Sequence, residues 1–218
     1  MQIHPHFLFN TLNNLYSLTL QQSPRSPDIV LGLSNILRYM LYECDAGTVP
    51  LQRDIDILQN YVKLEQLRYE DRLDFTFSIT GRPDAYRIPP LLMLPLVENA
   101  FKHGASETVD TPWINIGLQV NDHKLTFKVA NSKPVSMPGQ AEKNIGSIGL
   151  KNVKQRLDLL FHRNYSLLLF DEEEEVFVAI LEINLAHYPH LVKPAAAGIP
   201  SPALKKQKYE DQDADRGR

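Results

Sequence analysis

The chain has 218 residues, which allows one large domain, or one ordinary domain plus a small helical unit, at roughly 150 residues per domain. Its 23 Lys and Arg are balanced by 26 Asp and Glu, so the net charge of −3 gives no basic field, and we expect no direct nucleic-acid binding. One cysteine, Cys44, excludes an internal disulfide framework, and no apolar run approaches the roughly 20 residues that a membrane span requires.

Three helices are predicted in about the first 70 residues. The first repeats its apolar positions at steps of four, three and four, and the prolines at 24 and 27 end it. The second ends near 45–47, and the third runs from about 51 to 70. The positions predicted to face the core are Leu8, Leu12, Leu15 and Thr19, then Val30, Leu33, Leu37, Met40 and Leu41, then Ile55, Leu58 and Val62.

A helical hairpin of this kind leaves apolar surface that one chain does not cover. Such hairpins complete their core by pairing into a four-helix bundle, so we expect a homodimer. The side chains expected to pair are Leu8, Leu12, Leu15, Leu33, Leu37 and Met40. Because the first helix begins at about Pro5, we expect it to have lost packing surface, and the dimer is predicted to dissociate on dilution.

From about Leu73 the pattern changes to the period of two that is typical of strands. Strands are predicted at 73–78, 113–120, 124–130, 166–170 and 176–183, and helices at 91–103 and 149–161. A polar loop covers 131–147, and the acidic run at 171–175 is predicted to be a solvated turn. The fold class is therefore α+β: a helical hairpin followed by an α/β sandwich of antiparallel strands.

The first segment that could carry chemistry is the string 2–10. His6 and Asn10 lie four residues apart, on a more exposed helix face than Leu8. A lone histidine on a helix is most often a surface or capping residue. Its imidazole is nevertheless half neutral at about pH 6.5, which makes it a competent nucleophile without a dedicated base.

The second segment is 95–104, within a predicted helix. One wedge of this helix is apolar and faces the sheet. The opposite wedge consists of Pro95, Asn99, Lys102 and His103. An amide oxygen, an ammonium group and an imidazole on one wedge can hold Mg²⁺ and phosphate oxygens. The alternative is an amphipathic helix with a solvated face.

The third segment is a glycine-bearing loop that leads directly into a predicted helix, with Gly146, Gly149 and Leu150 at the junction. Free backbone N–H groups at a helix N-terminus form a cradle for phosphate. Two glycines before a helix are by themselves common. The polar loop that precedes them is long enough to act as a lid.

Together, in this order and spacing, the three segments resemble the catalytic core of a LytS/YehU-type sensor histidine kinase. The ATP-binding half of that family has the GHKL (Bergerat) ATPase fold. The similarity covers about residues 1–183. The string 2–13 resembles the family's phosphoacceptor box, 95–104 its N box and 146–157 its G2 box, and 64–68 resembles the stretch that follows its second helix.

The resemblance implies that His6 is the phosphoacceptor, with Asn10 beside it on the same helix face. Many histidine kinases carry an acidic residue directly after the phosphoacceptor, whereas this chain has Phe7. Either His6 attacks as the already neutral imidazole, or a residue such as Glu98 assists from the other domain.

For the nucleotide, the resemblance implies ATP with Mg²⁺. It makes Asn99 the metal ligand, and the remaining nucleotide contacts are Lys102, His103, Gly146, Gly149 and Leu150. In place of the family's adenine box the chain has the stretch 129–134, which lacks the usual glycines. Asn131 can still accept a hydrogen bond from the adenine amino group through its side-chain oxygen.

The function implied is ATP-dependent autophosphorylation on histidine and phosphotransfer to an aspartate of a response regulator, of the LytTR type. The alternatives are a catalytically impaired ATP-binding signalling module and a GHKL ATPase without a histidine acceptor. The predicted domains are a helical phosphoacceptor region at 1–72, an ATP-binding domain at 73–187 and a disordered tail at 188–218. We expect an N-terminally truncated, cytoplasmic chain, whose full-length relatives are anchored in the inner membrane by upstream spans.

Overall fold

The computed structural model describes residues 5–69, 72–105, 112–133, 147–162, 164–171 and 175–192, with residues 5, 6 and 147–149 described by their backbone alone. Its α-helices are α1 (Pro5–Leu20), α2 (Ser26–Arg38), α3 (Leu51–Gln66), α4 (Leu94–Gly104) and α5 (Ser147–Phe161). Its strands are β1 (Val49–Pro50), β2 (Asp74–Gly81), β3 (Arg87–Ile88), β4 (Trp113–Asn121), β5 (Lys124–Ser132), β6 (Tyr165–Phe170) and β7 (Val176–Asn184). The predicted α+β fold is confirmed.

Five of the strands form one sheet, in the order β2-β4-β5-β7-β6. β2 and β4 run parallel, whereas the other neighbouring pairs are antiparallel. The prediction of antiparallel strands is therefore wrong at β2. The chain between β2 and β4 passes through β3 and α4, and such a crossover connection, unlike a tight hairpin, returns the chain in its original direction.

One face of this sheet is apolar and is covered by α4 and α5. Alternate residues of β4 are buried on it together with their partners on β5, as Ile116 is with Val129. The helices contribute Val97 and Phe101 from α4 and Leu157 from α5, all of them buried. The period of two in the strands and the helical period in α4 therefore bring matching apolar surfaces together.

α3 is buried around most of its circumference. It packs against α2 on one side and against α4 and β3 on the other, so Ile57, Leu58 and Tyr61 are all buried although they point in different directions. β1 and β3, which the sequence did not predict, pair beside it, with Val49 opposite Ile88. One apolar core thus continues from the helices into the sheet. The domain boundary near Arg72 stays a prediction.

The apolar surface that the helices leave open differs from the predicted one. Leu33 is buried, and most of the side chains expected to pair in a dimer pack instead against the chain's own core. Four residues predicted to face the core are exposed instead: Leu12, Thr19, Val30 and Leu41. The large exposed apolar residues of α1 are Phe9, Leu12, Tyr16 and Leu20. These four fall at steps of three, four and four on one helix face, and we call them the α1 stripe.

Backbone chemistry sets where two of the helices begin. α2 begins at Ser26, and Pro27 lies in its first turn, where a missing N–H group costs nothing. α4 begins at Leu94 and not at Leu91, since Leu91 has a φ of 56°, outside the right-handed helical region. α3 ends at Gln66, short of the predicted end at 70.

The chain beyond β7 remains folded for longer than expected. The Tyr188 hydroxyl donates a hydrogen bond to the carbonyl oxygen of Phe161 at 2.5 Å, and Leu191 is buried. Val192 forms an isolated β-bridge with Tyr86. Residues 188–192 therefore belong to the folded unit, and the rest of the predicted tail, 193–218, lies outside the described residues.

Replacing Phe101 tests whether the helices and the sheet share one core. Its ring lies 6.1–6.2 Å from the rings of Tyr61, Tyr69 and Phe75, and it is only 2% exposed. We expect Phe101→Ala to lower the free energy of unfolding by about 3–5 kcal/mol in urea titrations. Leu159→Ala, at a position 79% exposed, should change it by less than about 0.5 kcal/mol. Equal losses in the two variants would contradict the shared core.

Candidate functional site

α4 presents its polar wedge where the sequence predicted it. Asn99 and His103 are half-buried and Lys102 is exposed, while Val97 and Phe101 on the opposite wedge are buried against the sheet. The amide and imidazole are thus accessible yet partly withdrawn from water. Electrostatic contacts made there are screened less than on an open surface.

The C-terminal end of α4 lies directly against the end of β5. A Cβ atom added to Gly104 would stand 2.5 Å from the Cβ of Asn131, a separation that no real pair of side chains adopts. Ser132 closes the junction, since its hydroxyl donates a hydrogen bond to the Gly104 carbonyl oxygen at 2.8 Å. Glycine is therefore required at 104 by this close approach.

Asn131 is fully buried at this junction. Its Nδ2 donates a hydrogen bond to the Ser132 carbonyl oxygen at 2.8 Å, whereas its Oδ1 has no hydrogen-bond partner among the residues that the structure describes. Buried polar atoms without a partner are rare in folded proteins and call for an explanation. An acceptor oxygen at this position suits a ligand that brings its own N–H donor.

Two charged side chains lie near the imidazole of His103: Lys102, its neighbour on α4, and Asp171, directly after β6. Burial and the neighbouring Lys102 charge lower the pKa of the imidazole, and Asp171 opposes them. Asp171 itself pairs with Lys133, whose Nζ lies 2.6 Å from Oδ1. His103 is therefore a neutral group at physiological pH, able to donate one hydrogen bond, and Lys102 supplies the positive charge.

The third predicted segment is described only in part. Gly146 and the predicted lid from 134 onward lie outside the described residues. Gly149 and Leu150 lie in the first turn of α5, as the sequence predicted for a glycine-bearing helix N-terminus, and Leu150 packs partly against the core. The free backbone N–H groups of that turn are suited to phosphate.

The turn of α1 that follows His6 is docked onto α3. Phe7 is buried, and its ring lies 4.7 Å from the ring of Tyr61. Tyr61 in turn meets Phe101 of α4 edge-on. The side chain of His6 lies outside the description, and Asn10 is half-buried one turn further along α1. The start of α1 is thus joined to α4 through a chain of three aromatic rings.

Glu98, next to Asn99 on α4, faces α3. Burial first, and then the charge of Glu65, raise the pKa of its carboxyl to about 7. Glu65 is buried as well and accepts hydrogen bonds from the Tyr61 hydroxyl at 3.2 Å and from Arg68 at 2.8 Å. Glu98 is therefore a carboxyl group that exchanges a proton near neutral pH, close to the ring against which Phe7 packs.

The sequence missed Glu65 and Tyr61 as parts of this region. The only available signal was the match of 64–68 to a family stretch, which contains Glu65 but gives it no partner. The charges near Glu98 depend on how α3 packs against α4. The residue spacing within 95–104 carries no information about that packing.

No group of three or more His, Cys, Asp or Glu residues that could hold a metal ion occurs in the described part of the chain. The role of Asn99 as a Mg²⁺ ligand stays a prediction from the resemblance. An open hollow of about 900 Å³ lies at the opposite end of the sheet, lined by Lys124, Glu182 and Asn184 among others. It is separated from Asn131 by nearly the whole length of β5, so it is not part of this site.

Replacing Glu98 tests its environment. A carboxyl whose pKa is raised on folding contributes stability below its unfolded pKa, about 4.5, and loses that contribution as the pH rises through about 7. We expect ATP-free Glu98→Gln to resist urea better than the wild type at pH 8, with the gap closing at pH 4.5. Glu175→Gln, at an exposed carboxylate, is the control. A gap of equal size at both pH values would show that Glu98 is not desolvated.

No helix in the described residues is long and apolar enough to cross a bilayer. The family model "Histidine kinase" matches residues 1–73. The chain is 32% identical over 166 residues to the putative uncharacterized protein YwpD of Bacillus subtilis, covering 72% of this chain and 58% of YwpD. It is 28% identical over 170 residues to the sensor protein LytS of Oceanobacillus iheyensis, covering 72% of this chain and 28% of LytS.

Among solved structures, the histidine kinase domain of a blue-light activated kinase from Erythrobacter litoralis EL346 is 15% identical, with a TM-score of 0.47 over 84% of this chain and 99% of that domain. A TM-score this low does not bear on the assignment. The chain spans 58% and 28% of the lengths of the two relatives named above. The sequence matches support a histidine kinase of the LytS type.

Proposed function

We propose that this chain is the catalytic core of an ATP-dependent protein-histidine kinase that phosphorylates itself on His6. The observation that carries the proposal is the docking of Phe7 onto Tyr61. It ties the helix of the candidate phosphoacceptor to the helix pair that bears Glu98 and Asn99. A kinase must hold acceptor and nucleotide in one geometry, and positioning is most of what phosphoryl transfer asks of a protein.

ATP is proposed to lie between α4 and the N-terminus of α5. The buried Oδ1 of Asn131 would accept a hydrogen bond from the adenine amino group, which supplies the N–H donor that this oxygen lacks among the described residues. Asn99 would ligate Mg²⁺, which neutralises phosphate charge, and Lys102 and His103 would contact phosphate oxygens. Gly149 and Leu150 would place backbone N–H groups beside the phosphates.

In the proposed reaction a ring nitrogen of neutral His6 attacks the γ-phosphorus. The bond from that phosphorus to the β–γ bridging oxygen breaks, and ADP leaves. The proton on the other ring nitrogen must pass to a base, and Glu98, whose pKa is raised to about 7, is the candidate in the described residues. The phosphoryl group would then pass to an aspartate of a response regulator.

A second copy of the chain is the proposed partner of the α1 stripe. Its four residues are between 43% and 68% exposed, and they form a continuous apolar band on the helix that carries His6. Pairing two such bands would give the four-helix bundle expected for this family. The response regulator, its LytTR type and a membrane-anchored parent protein remain proposals from the resemblance.

The decisive experiment is autophosphorylation with γ-labelled ATP. We expect acid-labile label on the wild type and on His4→Ala, and none on His6→Ala, because His6 is the proposed acceptor. Label that persists in His6→Ala would overturn the assignment. ATP binding without label in the wild type would favour the impaired signalling module, and phosphate release that is insensitive to His6→Ala would favour an ATPase without a histidine acceptor.

Asn99→Ala should abolish Mg²⁺-dependent ATP binding in calorimetric titrations. Asn99 lies on the wedge opposite the buried Val97, so its truncation makes no core cavity, and the free energy of unfolding should change by no more than about 0.5 kcal/mol. Asn115→Ala, on the exposed face of β4, is the matched control and should bind ATP like the wild type. Unchanged affinity in Asn99→Ala would mean that another group holds the metal.

The proposed dimer is tested by placing a charge in the α1 stripe. Tyr16→Glu would bury a carboxylate in the bundle, so we expect its dimer to dissociate at concentrations at least about tenfold higher than the wild type does. Gln119→Glu adds the same charge on the exposed face of β4 and should leave the equilibrium unchanged. Sedimentation equilibrium measures both. A wild type that stays monomeric at all concentrations would refute pairing through α1.

A further inference from the structure

The turn that leads into α4 adopts a strained backbone. Leu91 has a φ of 56°, in the left-handed region that a leucine rarely occupies. Such a conformation persists only where the surroundings hold it in place, and it is common where a structure positions functional groups. Neighbouring side chains must therefore hold Leu91 in this conformation.

On one side, Asp54 of α3 holds this turn. Its Oδ1 accepts a hydrogen bond from the Leu91 N–H group at 2.7 Å, and also one from the Tyr39 hydroxyl at 2.6 Å. Asp54 is 3% exposed and Tyr39 is fully buried at the end of α2. One carboxylate oxygen thus connects α2, α3 and the start of α4.

From the other side, Arg156 of α5 holds the same turn. Its guanidinium donates hydrogen bonds to the carbonyl oxygens of Pro90, at 2.6 Å, and Leu91, at 3.2 Å. The charges of Arg156 and Asp54 attract each other, which compensates part of the cost of burying both. The Leu91 peptide is therefore gripped at its N–H group by α3 and at its carbonyl group by α5.

We propose that Asp54 and Arg156 are positioning residues that clamp residues 90–91. They thereby couple α2 and α3, on which the His6-bearing helix α1 packs, to the two helices, α4 and α5, proposed to bind the nucleotide. A shift of α2 or α3 moves Asp54, and this turn passes the shift to both α4 and α5, in addition to the direct contact of Tyr61 with Phe101. The inference rests on the proposed function for its consequence, but the clamp itself is a property of the ATP-free protein.

The alternative is that these two opposite charges, one buried and one half-buried, only stabilise the fold. A pair of that kind is a weak source of stability, because desolvation offsets its attraction. Here three of the four described hydrogen bonds of Asp54 and Arg156 go to the strained turn at residues 90–91. The fourth joins Asp54 to the Tyr39 hydroxyl at the end of α2. A purely stabilising role and a clamp differ in what happens at α4 when α2 or α5 is altered.

The first measurement is amide hydrogen exchange without ATP. We expect Tyr39→Phe and Arg156→Met each to speed exchange at Leu91 and in the first turn of α4 by at least about tenfold. Arg156→Met removes the two hydrogen bonds to the turn, and Tyr39→Phe removes the one that orients Asp54 toward it. Tyr165→Phe is a matched control, since it also removes a hydroxyl–carboxylate hydrogen bond, 2.7 Å to Asp158. Lys154→Met removes an exposed cation from α5. Neither control should affect α4.

Exchange that stays at the wild-type rate, or that rises uniformly along the chain, overturns the clamp. If Arg156→Met does not fold, Arg156→Lys is measured in the same way, since one ammonium group cannot reproduce the forked contact to two carbonyl oxygens. Faster exchange at Leu91 is the expected result for that variant too.

The second measurement is ATP affinity and the rate of His6 phosphorylation at saturating ATP, in the same variants. We expect Tyr39→Phe to lower one or both at least about fivefold, although the hydroxyl it removes bonds to Asp54 and not to the proposed nucleotide contacts. Exchange effects with unchanged affinity and rate in both Tyr39→Phe and Arg156→Met would overturn the coupling. A wild type that binds no ATP would refute the proposed function instead, and exchange in α4 would still decide the clamp.

Discussion

The ring of Phe101 is the point at which the helices and the sheet of this molecule join. It lies on α4, meets Tyr61 of α3 edge-on, and stacks with Phe75 of β2. Because Tyr61 also packs against Phe7, a single set of aromatic contacts fixes where the start of α1 lies relative to the sheet. The chemistry proposed for His6 and Asn99 depends on that placement, since aromatic rings transmit position through close packing and tolerate little displacement.

Around this apolar joint the protein keeps three buried or half-buried carboxyl groups on the α3–α4 boundary. Asp54 and Glu65 are each satisfied by at least two hydrogen-bond donors, as buried acids must be. Glu98 is the one whose pKa is raised to about 7. Asp54 joins separate elements, since its donors come from the end of α2 and from the turn before α4, whereas the donors to Glu65 lie on α3 or directly after it. Glu98 is suited to proton exchange, because burial and the charge of Glu65 bring its pKa close to neutral pH.

The C-terminal end of α4 explains why position 104 is a glycine, since this residue packs directly against Asn131. Gly104 allows α4 to approach β5 so closely that any side chain there would collide with Asn131. Asn131 is consequently buried with one oxygen unpaired among the described residues. The departure from the family's adenine box thus leaves an acceptor atom in place, although it removes the glycines. The proposed contact with the adenine amino group requires an acceptor atom, which an asparagine oxygen can supply.

The order of the five α-helices and of the five strands in the large sheet could be predicted from the sequence, as could the polar wedge of α4 and the candidate phosphoacceptor string, because apolar periodicity and short motifs are local. The parallel pairing of β2, the burial of Asn131, the exposure of the α1 stripe and the Glu65–Glu98 pair could not. Each joins residues that are far apart in the chain, and burial and pKa depend on which elements pack together. The sequence by itself determined the elements and the residue types that carry the chemistry. The tertiary structure alone decided which of those groups are desolvated, which are paired and which remain able to bind a partner, since these properties arise only from long-range contacts.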